Sequence, residues 1–252
     1  MAKEEKVTSL KVRRAKAEHR KVSMLTAYDY PIARILDESG IDIVLVGDSL
    51  GNVMLGYRNT LPVTMTEMVV HTQAVSRAVK RALVVADMPF GSYQSDLKLA
   101  VSNAVDLIKA GAEAVKIEGA EYLDVIRRIL KAGIPVMGHL GFTPQSVHKI
   151  GARVQGLGAG EKSRLLKEAR ALEKAGCFAL VLEMVEPKLA QKIKRALKIP
   201  VIGIGSGGDL DGQVLVTYDM LGLYPKPPKF ARKFADLAPQ IKAAVRKFMR
   251  LS

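Results

Sequence analysis

The chain has 252 residues, 48% of them apolar, and its 39 lysines and arginines outnumber 25 acids to give a net charge of +14. One cysteine, Cys177, rules out an intrachain disulfide, and no stretch approaches the roughly 20 uncharged apolar residues of a membrane span. Aromatic content of 5% without tryptophan leaves little material for base-stacking platforms, so nucleic acid is not the expected partner.

The length suits a single α/β barrel domain over residues 1–252. The charged start MAKEEK leads into no signal-like apolar run, so a cytoplasmic location with no membrane contact is expected. In chain order, Thr8 to Arg20 is predicted as an extra helix with Thr8 as N-cap, placed before the first strand where it would cover the barrel bottom. A strand over Ser23 to Ala27 follows, and a helical pattern then ends at Gly40. The run Ile43 to Val46 leads into a glycine-rich turn that holds an adjacent acid and hydroxyl, Asp48 and Ser49.

The same plan recurs. The strand over Leu83 to Ala86 ends in Asp87; LIKAGAEAVKIEG passes from Gly111 to Lys116 and Glu118; ILKAGIPVMGH passes from Gly133 to His139; LEKAGCFALVLEM passes from Gly176 to Glu183. Each glycine is a natural helix terminator, because it adopts the left-handed conformation without steric cost. Cys177, between a helix end and a strand, reads as a buried small side chain. The glycine-rich loop from His148 to Gly160 is a candidate lid, and IGIGSGGDLDGQ, Ile202 to Gln213, reads either as a phosphate cradle or as a turn admitting a bulky group. Strands at Val201 to Ile204 and Val214 to Thr217 and a helix over Phe230 to Leu251, interrupted by Pro239, complete the chain. About eight strands alternating with helices predict a (β/α)8 TIM barrel. An open doubly wound sheet is the alternative, but its glycine-rich phosphate fingerprint near the N-terminus is missing.

In such a barrel the loops after the strands converge on one face, which would gather Asp48, Asp87 and Glu118. Three carboxylates in one pocket call for a cation, and oxygen ligands favour magnesium. Zinc is disfavoured, because His19, His71, His139 and His148 show no metal-site spacing. Taken singly, each acid also reads as a helix cap or a salt-bridge partner. Lys116 and Glu118 share a strand face, so the cation would lie beside the metal and suit an anionic substrate. Glu183 reads as an unliganded base or as a cap for the helix near Pro187, and His139 as an auxiliary proton carrier or a core histidine.

Several ordered motifs carry a family likeness: LTAYDYPIA, VGDSLGNVMLGYRNTLPVT, ADMPFGSY, VKIEG, GHLGFTPQSV, LVLE and PVIGIGSG. Together they resemble ketopantoate hydroxymethyltransferase from about Thr8 to Arg250. The resemblance implies a magnesium-dependent homo-oligomer, typically decameric, that transfers a one-carbon unit from 5,10-methylenetetrahydrofolate to 3-methyl-2-oxobutanoate. It implies Asp48 and Asp87 as metal ligands, Glu118 as a further ligand directly or through water, Asp48, Ser49, Asp87 and Lys116 as substrate-binding groups, and Glu183 as catalytic base. Two departures stand out: Leu157 where the family often has a basic residue, and Ser206 where it usually has alanine. The alternatives are a magnesium-dependent 2-oxo acid lyase or mutase of the phosphoenolpyruvate mutase type, and a non-catalytic basic barrel that binds an anion.

Overall fold

A computed structural model describes residues 5–251. Eight strands, β1 (Val22–Thr26), β2 (Ile43–Val46), β3 (Leu83–Asp87), β4 (Ala114–Glu118), β5 (Val136–Gly141), β6 (Ala179–Glu183), β7 (Val201–Ile204) and β8 (Gly212–Leu215), pair in sequence order and all in parallel. Pairing of β8 with β1 closes the barrel, which rules out the open sheet. The helices are α1 (Ser9–Ala15), α2 (Tyr30–Glu38), α3 (Leu50–Val53), α4 (Met65–Ala78), α5 (Leu97–Lys109), α6 (Leu123–Lys131), α7 (Val147–Ile150), α8 (Ala159–Ala175), α9 (Pro187–Ala196), α10 (Thr217–Met220) and α11 (Leu237–Phe248). Between β7 and β8 the chain turns back within seven residues, 205–211, without a helix.

Strands buried on both faces explain the near-continuous apolar runs. Outward residues such as Val44, Val84, Val115 and Leu180 pack beneath the helices. Inward residues follow the period of two and change character along each strand. In β3 they are Leu83, Val85 and then Asp87; in β4 Ala114, Lys116 and Glu118; in β5 Met137 and His139; in β6 Ala179, Val181 and Glu183. The lower barrel is thus an apolar plug, and the C-terminal mouth is polar. Val7, Val12 and Ala15 close the plug from below, as expected of an N-terminal helix covering the bottom.

Gly40, Gly111, Gly133 and Gly176 all take positive φ at the predicted helix ends. Some boundaries differ from expectation. Helix α1 stops at Ala15 rather than Arg20, and His19 turns the chain with φ 53°. Strand β8 lies two residues earlier than predicted, because Gly212 pairs with Val22 and a side chain there would come 2.3 Å from the Val22 carbonyl oxygen. Residues Phe230 to Ala235 lie outside the terminal helix, which starts at Leu237. Pro239 therefore falls in its first turn, where a missing N–H forfeits no intrahelical bond, and does not interrupt it.

Candidate active site

Asp48, Asp87, Lys116, Glu118, His139 and Glu183, with Ser49 beside them, all line one cavity of about 370 Å³ at the C-terminal mouth. None of the four acids caps the helix that follows it. Asp29 caps α2 and Asp96 caps α5, whereas the cap of α9 is Glu186, which accepts hydrogen bonds from the backbone of Lys188 and Leu189 at 3.0 and 2.9 Å. Glu183 is therefore left to face the cavity.

Lys116 is the electrostatic centre. Its Nζ lies 2.6 Å from Asp87 Oδ1 and 3.3 Å from His139 Nδ1, and the side chain is 5% exposed. Burial alone would favour the neutral amine, but Asp87, Glu118 and Asp48 more than offset this and hold its pKa above the ordinary lysine value. One ammonium does not neutralise three carboxylates. Burial, followed by the charges of Asp87 and Glu118, pushes the Asp48 carboxyl well above its usual range. The Asp48 backbone N–H donates to Asp87 Oδ2 at 3.1 Å, which ties the β2 and β3 loops together. Gly47 leaves room for this contact, since a Cβ there would meet Ser49 Oγ at 2.7 Å and Asp87 Oδ2 at 3.4 Å. Ser49 Oγ shares a 2.8 Å hydrogen bond with Tyr28 Oη.

His139 links the two ends of the acid row, with Nδ1 3.3 Å from Glu118 Oε1 and Nε2 3.2 Å from Glu183 Oε2. Burial and the Lys116 charge disfavour the imidazolium, yet the contacts with the carboxylates of Glu118 and Glu183 prevail and raise its pKa to about 9. The folded protein then holds a proton that the unfolded chain releases above about pH 6.5. This contribution is complete below about pH 6.5 and is lost as pH rises through about 9. Denaturation with chelator present should show stability falling by on the order of 3 kcal/mol across that window, and His139→Gln should flatten the slope. An unchanged slope in the variant would refute the bridge.

Sequence reasoning missed Gln145, a buried residue in the 3₁₀ turn Pro144–Ser146 behind the acids. Its amide donates to Asp48 Oδ2 and to the Met88 carbonyl, both at 2.9 Å, and accepts from Tyr93 Oη at 2.8 Å and Gln94 Nε2 at 3.1 Å. Its backbone N–H donates to Glu118 Oε2 at 3.0 Å. One residue therefore orients two of the acids, Asp48 through its side chain and Glu118 through its backbone. Gln145→Leu should destabilise the fold by roughly 1–3 kcal/mol, because Asp48 and Tyr93 lose buried partners. An unshifted urea midpoint would show that the network contributes nothing.

The donor set is hard oxygen, as magnesium prefers. Asp87 Oδ1 is buried with no well-formed hydrogen bond, only the ion contact to Lys116, and Asp48 keeps one oxygen outside the Gln145 bond. Among the described residues no three His, Cys, Asp or Glu side chains converge as a ready-made metal cluster. Magnesium needs only one or two carboxylates, completed by water and substrate oxygens, so the Asp48–Asp87 pair fits it. Both Glu118 oxygens are engaged, one by the Gln145 backbone N–H and the other by His139.

Other predicted features fall elsewhere. Cys177 is buried before β6, at the end of the barrel opposite the cavity, and burial pushes its thiol up to about 12. The His148 to Gly160 loop is pinned to the end of β6 by Gln155, whose N–H donates to the Met184 carbonyl at 2.7 Å and whose carbonyl accepts from Glu186 at 2.9 Å. Leu157 there is 62% exposed. In the glycine-rich turn, Gly205 makes room for the Phe230 ring, 2.9 Å from where a Cβ would stand, so the bulky group admitted is the chain's own. Ser206 Oγ accepts from Val185 N at 2.9 Å and donates to the Leu182 carbonyl at 2.8 Å, which spends that departure on joining β6 to β7.

Comparison with known proteins agrees with this fold. The pattern of the ketopantoate hydroxymethyltransferase family matches residues 6–251. The chain is 52% identical to 3-methyl-2-oxobutanoate hydroxymethyltransferase of Geobacter metallireducens, covering 97% of this chain and 93% of that protein. It is 54% identical to the Pyrobaculum islandicum protein of the same name, over 89% and 87% of the two chains. Among solved structures, phosphoenolpyruvate phosphomutase from Streptomyces platensis superposes with a TM-score of 0.67 at 15% identity, covering 97% of this chain and 87% of that one. 2,3-Dimethylmalate lyase, a PEP mutase/isocitrate lyase superfamily member, gives 0.65 at 15% identity, over 96% and 86% of the chains. These last two share the fold alone. A closed parallel barrel with this mouth, and half the sequence in common with named relatives over nearly its whole length, places the chain in the ketopantoate hydroxymethyltransferase family, whose members are transferases.

Proposed function

We propose that the protein transfers a one-carbon unit from 5,10-methylenetetrahydrofolate to 3-methyl-2-oxobutanoate, with water supplying the hydroxyl oxygen, to give ketopantoate in the cytoplasm. The observation that carries this reading is the gathering of Asp48, Asp87, Lys116 and Glu183 around one cavity, with Glu183 the most exposed of its acids. Asp48 and Asp87 would hold a magnesium ion, with Glu118 as a further ligand directly or through water, and the ion would supply Lewis-acid polarisation that acidifies C3 of the 2-oxo acid. Ser49 and Lys116 orient the substrate's anionic end, and the Lys116 ammonium offsets the charge that develops on the enolate. Glu183 takes the C3 proton. Water adds to the donor's methylene carbon, whose two carbon–nitrogen bonds break to release tetrahydrofolate. The carbanion adds to the resulting formaldehyde-level carbon, whose oxygen takes up a proton to become the hydroxyl. His139, in contact with Glu183 Oε2, steadies the carboxylate form of the base.

Lyases of the alternative 2-oxo acid type usually need a reactive cysteine, and Cys177 does not suit that role, since its thiol is buried at the opposite end of the barrel. A homo-oligomer, a decamer by family resemblance, is part of the same proposal. Helix α11 buries none of its residues in the single chain, and Ile241, Val245 and Phe248 are 52, 51 and 70% exposed at helical spacing, a face suited to another subunit. Among the described residues no helix is long and apolar enough to cross a membrane. Incubation with 3-methyl-2-oxobutanoate, methylenetetrahydrofolate and magnesium should yield ketopantoate, and chelator should abolish the yield. Turnover without the folate, or undiminished turnover in chelator, would overturn the donor or the metal respectively.

A further inference from the structure

The cavity has two chemically different ends. One is the acid–lysine floor; the other, where β8 returns beside β1, carries Asp219. Asp219 is 4% exposed, and its buried Oδ1 has no hydrogen-bond partner. Burial alone, with no cation opposing it, lifts its pKa to about 6. The residue is held firmly, because Thr217 of α10 donates from its backbone N–H to Thr26 Oγ1 at 3.0 Å and from its hydroxyl to the Thr26 carbonyl at 2.5 Å. Both Asp219 and Asp87 act electrostatically on Tyr28, which hydrogen bonds to Ser49, so the unpartnered carboxylate belongs to the same chamber as the floor.

A buried carboxylate with no partner is costly to maintain unless a ligand supplies donors. The 2-oxo acid, an anion without N–H groups, does not. The reduced pterin of the one-carbon donor does, because a ring N–H and an exocyclic amino group lie side by side on one edge and match the two oxygens of a carboxylate. Phe142 and Phe230 line the same cavity as apolar surfaces for a flat ring, and Arg58 and Lys226 stand exposed in its lining.

We propose that Asp219 recognises the donor: its carboxylate accepts hydrogen bonds from the paired N–H groups of the reduced pterin, while Arg58 and Lys226 face the donor's glutamate carboxylates. This assignment rests on the folate-dependent reading above. It is tested by calorimetric titration of tetrahydrofolate into the magnesium-loaded protein and into Asp219→Asn, which keeps the shape but presents an amide. The variant should bind tetrahydrofolate roughly 10- to 100-fold more weakly and retain 3-methyl-2-oxobutanoate binding. On the unaltered protein, 2-desamino tetrahydrofolate should show a similar loss, a measurement independent of how the variant folds. Equal affinity of the variant, or of the desamino compound, would overturn the assignment while leaving the transferase reading intact. An unaltered protein that binds the 2-oxo acid but not tetrahydrofolate would overturn the donor reading, and the Asp219 role with it.

Discussion

Glu183→Gln should bind 3-methyl-2-oxobutanoate normally and lose exchange of its C3 proton by roughly 10²- to 10⁴-fold, the usual range for a positioned general base. The measurement is NMR of the 2-oxo acid in deuterated water with magnesium and without folate. The substitution is isosteric and leaves Glu186, the true cap of α9, in place, so the helix start is preserved. The glutamine can still meet His139 Nε2, now 3.2 Å from Glu183 Oε2, but it cannot take a proton. Among the acids of the site only Glu183 is suited to reach substrate carbon: its side chain is 16% exposed, against 4% for Glu118 and Asp87. Normal exchange in the variant would remove Glu183 as the base.

Much of this site is legible in the sequence because strands have a period of two. Once a short apolar run is read as a barrel strand, the polar residue at its C-terminal end has one direction available, and Asp87, Lys116, Glu118, His139 and Glu183 follow from that. Gln145 is illegible on the same terms. It comes from a 3₁₀ turn and meets Asp48 across 97 positions of sequence, a contact that no local pattern encodes. Asp219 escapes for a related reason: it lies in a four-residue helix after the short strand GQVL, whose start is fixed by pairing of Gly212 with Val22 and not by β-branched content. The glycine-rich turn after β7 misleads in the opposite direction. Two of its glycines, Gly205 and Gly207, are explained by Phe230 and Pro187 packing against them, contacts with residues outside the motif.

Lys116→Met should lower transfer activity by roughly 10²- to 10³-fold and destabilise the chelator-treated protein by roughly 3–5 kcal/mol near neutral pH. Methionine fills similar space, so the loss is one of charge and not of packing. With the ammonium gone, Asp87 Oδ1 loses its 2.6 Å partner, and the carboxylates of Asp48, Asp87 and Glu118 face one another in a water-poor chamber. The Asp48 carboxyl already stands well above its usual range with Lys116 present, so its removal pushes protonation further in the same direction. A carboxyl whose folded pKa lies above its unfolded value binds a proton more readily in the native state, so lowering pH stabilises the fold until the unfolded chain also protonates. The variant should therefore regain stability from neutral pH down toward about pH 4, to a degree the unaltered protein does not match. Denaturant titrations of both proteins across that range decide the matter. Parallel pH profiles would show that Lys116 does not neutralise the acid row, and that its contact with Asp87 is incidental to the site.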